Sequence, residues 1–327
     1  MRRLPAAIVL TVLLLLPQGV GVVYSAYYLN LLTWILIFGL FAMALDLALG
    51  YGGLVSFGHA AFFGAGAYAV ALVLKHVAFS LWLGLGAAVA AAALVAALVG
   101  AFAVESRGVY LAMLTFAFAQ LLYETSIKWV RLTGGSDGLP GPGRPPLTLG
   151  PLTLLELADR ESMYYVVVAF VVIGYLVLSR VVASPFGAAL VAVRENETRA
   201  AAIGIDVERH KRLALIGSGA LSGVAGGLFA IFQNFVSPEL LFWAMSGEVV
   251  IMALLGGLGT LYGGLIGAVI AVGFREILST YTENWLVFLG ALYVLCVMVF
   301  PQGLMRLHTP RTARAESPEL APVEARR

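Results

Sequence analysis

Charge is scarce in this chain: only 12% of its 327 residues are Asp, Glu, Lys or Arg, about half of the ~25% usual in soluble domains. Hydrophobic residues make up 61%, and the mean hydropathy is +0.95. Together these exclude a soluble globular domain. Period-two alternation is missing too, which excludes a transmembrane barrel. Cys296 is the single cysteine, so no internal disulfide forms; its apolar surroundings mark it as packing. The histidines His59, His76, His210 and His308 have no metal-ligand spacing. A G-x-x-x-x-G-K-[ST] string is absent, so the chain has no P-loop for ATP. Gly217-Ser218-Gly219 is no nucleophile elbow, because it falls in an apolar run without a neighbouring His and acid. An enzyme is not expected. The net charge of +2 says little about partners.

What is present is a series of apolar runs, each near the ~20 residues that cross a bilayer. The first, Leu4 to Val23, follows Met1-Arg2-Arg3 and resembles a signal peptide with Tyr24-Ser25-Ala26 at a cleavage site; an uncleaved first span is the preferred reading. A second run ends at Asp46. The others are Gly50–Leu74, Ser80–Val104, Val109–Val130, Ser162–Val182 and Leu213–Val236, then Leu240–Thr280 split in two at Gly259, and Trp285–Phe300. The expectation is an all-α polytopic membrane protein of about ten transmembrane helices, with eight or nine as alternatives. Residues 1–305 would form one transmembrane domain, and the Pro-, Glu- and Arg-rich tail 306–327 reads as disordered and cytoplasmic. With the N-terminus inside, fourteen of the twenty Lys and Arg fall on the cytoplasmic side. The polar segment 131–161 is then external. Its TGGSDGL and proline-rich continuation read as turns.

A second polar island, 184–212, reads SPFGAALVAVRENETRAAAIGIDVERHKR and holds nine charges: Arg194, Glu195, Glu197, Arg199, Asp206, Glu208, Arg209, Lys211 and Arg212. Each would cost several kcal/mol in hydrocarbon, so the island lies in water between two spans. Ser184-Pro185 starts a helix. Glu197 to Ile203 forms a short one stopped by Gly204 at C′ with positive φ. Asp206 and Glu208 open the next, where the helix dipole favours negative charge.

Two glycine-rich interruptions fall one in each half: Gly52, Gly53 and Gly58 in the first, Gly256, Gly257 and Gly259 in the second. Paired breaks of this kind point to a transport site and to inverted repeats. Close packing of small residues is the competing reading, and no residue-level repeat is visible. The breaks carry weakly polar groups, Ser56, His59, Ser246 and Thr260, which become candidates for lining the substrate path. Apolar Leu54, Phe57 and Phe62 surround them. Gly219, Gly223 and Gly227 repeat at four and give one smooth helix face.

RENETRAAAIGI, with SPFG before it and KRLAL after it, resembles the cytoplasmic loop of permeases from branched-chain amino acid importers of the ATP-binding-cassette class, the LivM type. GYGGLVSFGHAAFFGAGAY, RGVYLAMLTFAFAQ, TGGSDGL and the closing PQGL are similar to the same family, so the resemblance covers Asn30 to Leu304. It implies a bacterial inner-membrane permease that binds no cofactor itself. Its expected partners are a second related permease, two cytoplasmic ATP-binding subunits, and a periplasmic or lipid-anchored substrate-binding protein. Membrane lipid surrounds it and nucleic acid has no part. The loop would carry ATP-driven motion to the spans, with Glu197, Ala200, Ala201 and Gly204 as docking surface. Arg194, Glu195 and Asn196 would pair with the ATPase or brace the loop. Thr198 and Arg199 depart from the pattern.

Leucine, isoleucine and valine are the expected substrates. Related permeases take urea or short amides, and that alternative stays open. An ion-coupled secondary carrier is the other reading, resting on the acids Asp46, Glu124 and Glu248 in or near spans.

Overall fold

The computed structural model describes residues 26–284 apart from 107, 142, 150 and 151, with isolated positions from 287 to 298. The first expected span, the tail and the body of the tenth span lie outside the described residues. Inside them the architecture is all-α, with short strands on one face only.

The helices follow the apolar runs. They are α1 (Ala26–Asp46), α2 (His59–His76), α3 (Leu81–Ala103), α4 (Val109–Lys128) and α5 (Arg160–Val182). The charged island contributes α6 (Pro185–Glu195) and α7 (Glu197–Ala202). Then come α8 (Val207–Gln233), α9 (Trp243–Gly256) and α10 (Tyr262–Tyr281). Among the described residues five helices are long and apolar enough to span a membrane: the continuous stretch Tyr27–Tyr51, then α3, α5, α8 and α10. The first includes a π-helical turn, Leu47–Tyr51, at the end of α1.

Two boundaries differ from the sequence expectation. α8 starts at Val207 inside the charged island, so the island's end and the following span are one 27-residue helix. Caps decide this: the Asp206 side chain accepts from Arg209 N at 3.0 Å and starts the helix there. The expected eighth span is only the 14-residue α9, about 21 Å long against ~30 Å of hydrocarbon. It is too short to span the hydrocarbon by itself.

At the centre, α8 packs on α2 and α3 through small residues. Gly219 and Gly223 face Ala96, Ala92 and Ala88 of α3, and Gly66 of α2 approaches the Gly223 backbone. A Cβ at Gly223 would collide with Ala92 and lie 2.7 Å from Ala88 O. The four-residue glycine repeat is therefore a close helix–helix seam, where van der Waals packing replaces the hydrophobic drive that lipid cannot supply. Beside it, Phe41 and Phe63 rings meet at 4.6 Å, and Phe38 packs edge-on to Phe229 at 5.9 Å.

On the face opposite the charged island, the segment after α4 holds strands the turn reading did not anticipate. β2 (Leu147–Leu149) and β3 (Leu152–Leu155) form an antiparallel hairpin. β1 (Leu139–Pro140) pairs with β4 (Phe235–Val236) just past the end of α8. Asn234 sits at φ 52 between α8 and β4, and its side chain accepts from Gly143 N at 2.9 Å. Arg144 donates to Phe232 O at 2.8 Å. Burial pushes the Arg144 guanidinium below its usual range, and Arg160 adds to the effect. The loop is thus fastened to the tip of α8.

Candidate functional site

The charged island folds as its local signals specify. Pro185 occupies the first turn of α6 after Ser184. Asn196 caps α7, its side chain accepting from Arg199 N at 2.9 Å. α7 ends in a paired-bond C-terminal turn, with Gly204 N donating to Ala201 O at 3.0 Å and Ile205 N to Ala200 O at 3.1 Å. Gly204 sits at φ 89, where a β-carbon is strained.

The expected docking residues divide between inside and outside. Ala201 and Gly204 are exposed. Ala200 faces inward and is 2% exposed, because a six-residue helix lying on the bundle must bury one side. Glu197 is turned toward α8, where it forms an ion pair with the buried Lys211. Removing Glu197 would leave the buried Lys211 charge without this partner, at a cost of about 3–5 kcal/mol. The surface actually presented is Thr198, Arg199, Ala201, Ala202, Ile203 and Gly204. Ile203 is 70% exposed and was not among the sequence candidates. The available signal was a lone large apolar residue before the glycine stop of a polar segment.

Arg194 and Glu195 are both exposed. Arg194 nonetheless donates through Nη1 to Gly50 O near the end of the π turn. Its stem covers Gly53, where a Cβ would lie 2.7 Å from Arg194 Cγ. Leu190 of α6 packs near Gly52. α6 thus braces the first break.

That break runs from Gly52 to Gly58, between the π turn and α2. Gly53 takes φ 66. The second break, Gly257 to Leu261, joins α9 to α10 with Gly257 at φ 109 and Gly259 at φ 77. Leu261 is forced to φ 56, a strained value for a side-chain-bearing residue. Asp46 holds this turn: Oδ1 accepts from Gly259 N at 2.7 Å and Oδ2 from Leu261 N at 2.9 Å. Asp46 is 2% exposed, so its carboxylate needs such donors. The two breaks touch. A Cβ at Gly50 would strike Asp46 Oδ1 and stand 2.5 Å from Gly259 N.

Three of the four path candidates are buried in this structure, and Thr260 is half-buried. Ser56, His59 and Ser246 are fully buried. Ser218 Oγ donates to Ala44 O at 2.6 Å, so it must accept from His59 Nε2 at 2.7 Å. His59 Nδ1 is then the acceptor for Ser56 Oγ at 3.0 Å, and Ser56 in turn accepts from Gly58 N at 3.2 Å. This one-way chain of bonds ties α1, α2 and α8 around a neutral imidazole. Ser246 accepts from Ala60 N at 2.8 Å. Thr260 stands apart, donating to Gly257 O at 2.7 Å and accepting from Gly263 N at 3.2 Å at the start of α10. Ser56, Ser246 and Thr260 bond backbone groups near the breaks, and His59 bonds two serine side chains.

The three acids of the carrier reading lie in separate settings. Asp46 binds backbone. Glu124 is exposed on α4 and accepts from Gln120 at 3.3 Å. Glu248 sits within α9 rather than at a span end and pairs with Arg275 of α10 at 3.2 Å. That guanidinium also stacks over Trp34, 4.5 Å from the ring centroid.

Apolar helices, a water-exposed helical knob between spans, and paired breaks beneath it define a polytopic transport permease. The profile of the family described as branched-chain amino acid transport system / permease component matches residues 27–297, and the chain belongs to this family. It is 30% identical over 300 residues to the high-affinity branched-chain amino acid transport system permease protein LivM of Escherichia coli K12, covering 86% of this chain and 71% of that one. A probable LivH permease of Methanocaldococcus jannaschii is 38% identical over 122 residues, 36% of this chain and 35% of the relative. The Escherichia coli K12 LivH permease is 28% identical over 153 residues, 46% and 48% of the two chains. No solved structure matches.

Proposed function

We propose that this chain is one of two related permease subunits of an ATP-binding-cassette importer that moves leucine, isoleucine and valine across the bacterial inner membrane. Two cytoplasmic ATP-binding subunits would drive it, and a periplasmic or lipid-anchored binding protein would deliver substrate. The chain itself binds no ATP and performs no catalysis. The observation that carries this reading is the knob of α7 with Ile203 uppermost, backed by an α6 that reaches both helix breaks. A small apolar projection ringed by Thr198 and Arg199 suits a cleft on a soluble ATPase.

Substrate discrimination would reside mainly in the binding protein. In the present arrangement the helix ends at the breaks are already occupied, the amide end by Asp46 and the carbonyl end by Arg194. The test is uptake by vesicles reconstituted with this chain, the partner permease, ATPases and binding protein. ATP-dependent leucine uptake is expected. Uptake of urea or a short amide without leucine would move the substrate assignment. Leucine uptake driven by an ion gradient without ATPases would replace the importer with a secondary carrier.

A further inference from the structure

Asp46 and Arg194 are far apart in sequence and lie in different kinds of segment, one at the end of an apolar span and the other in the charged island. Both end at one point. Asp46 holds Gly259 N and Leu261 N, and Arg194 holds Gly50 O. A Cβ at Gly259 would stand 3.7 Å from both Gly50 O and Arg194 Nη1. Three chain segments, the end of the first span, α6 and the second break, therefore meet at one polar cluster inside a small-residue contact.

From this geometry we propose that Asp46 and Arg194 form a latch that locks the two helix breaks to each other and to α6, so that displacement of α6 opens the breaks. The proposal rests on the importer reading and adds the positioning residues through which motion of the exposed α7 enters the membrane. The path is short. α7 follows α6 after Asn196 alone, α6 carries Arg194 to Gly50 O, and Gly50 abuts Gly259. Asp46 then fixes the turn leading into α10. Pulling α6 away withdraws the guanidinium from the first break. The second break then loses its neighbour and keeps Asp46 and the local Thr260 bonds against the strain at Leu261.

The test uses the complex of this chain with its partner permease and ATPase subunits in lipid discs. The chain carries Leu258→Cys as reporter in a Cys296→Ala background. Leu258 lies in the second break and is half-buried, and it makes neither latch bond. A non-hydrolysable ATP analogue is expected to change maleimide labelling at position 258 at least fivefold. Asp46→Asn and Arg194→Ala should each abolish that change while the ATPase subunits still co-purify, and Arg194→Lys, which keeps a donor, should restore most of it. Should Arg194→Ala be lost from the membrane, Arg194→Gln and Asp46→Asn decide by the same readout. An analogue-dependent change that persists in those variants, or is missing from the reporter chain itself, overturns the latch. If the reporter chain fails to bring down the ATPase subunits, the importer reading falls first and the latch with it.

Discussion

The two helix breaks share a composition but are opposite in polarity. The first leaves a carbonyl without a helical partner, Gly50 O, and a cation answers it. The second exposes amide groups, Gly259 N and Leu261 N, and an anion answers them. The rule is the one that governs ordinary helix ends, where unpaired carbonyls attract positive charge and unpaired amides negative charge. Here the charges come from distant parts of the chain. Glycine content shows that a helix is interrupted. It does not show which backbone groups the interruption frees, and that decides what must be supplied.

The largest expected effect strikes both breaks at once. Gly50→Ala should drive the Asp46 carboxylate and the second break apart, with a loss of about 3 kcal/mol or more from overpacking; unfolding of the purified permease in detergent measures it. Asp46→Asn comes next and separates the two. The amide keeps one acceptor but turns an N–H toward a backbone N–H, at about 2–3 kcal/mol. Faster hydrogen exchange should appear at 257–262 and not at 52–58. Arg194→Ala should cost about 1.5 kcal/mol, because water can reach the freed carbonyl. Its exchange signature should be the reverse, at 50–54. Equal signatures for these two variants would dissolve the distinction. Thr260→Val is the smallest, at about 1 kcal/mol for a lost side-chain cap, and should leave the first break unchanged by the same measurement.

Much of the fold was legible because its signals are local. Pro185, Gly204 and Asp206 mark helix ends through atoms within a few residues, and the island folds as those signals direct, with Asn196 as a further cap the sequence reading had not named. The spans declare themselves through unbroken apolar length. Asp46 read as a lone intramembrane acid because its donors lie more than two hundred residues away. Ala200 and Glu197 read as surface because nothing local says which side of a short amphipathic helix rests on the bundle. The half-length of α9 was hidden because its apolar run merges with that of α10. The β2–β3 hairpin escaped because proline-rich turn signals masked two very short strands.

One consequence of α8 concerns distance. Its first turns stand among the island's charges, and its other end is bound to the loop on the opposite face through Phe232 O and Asn234 just beyond the helix. At 27 residues it is an unbroken rod of about 40 Å, so a tilt of about 5° at one end displaces the other by about 3.5 Å. The strands fastened at its tip would travel with it. A push on the island end of α8 would thus arrive at its other end as a shift in position, delivered by leverage along a single piece of backbone.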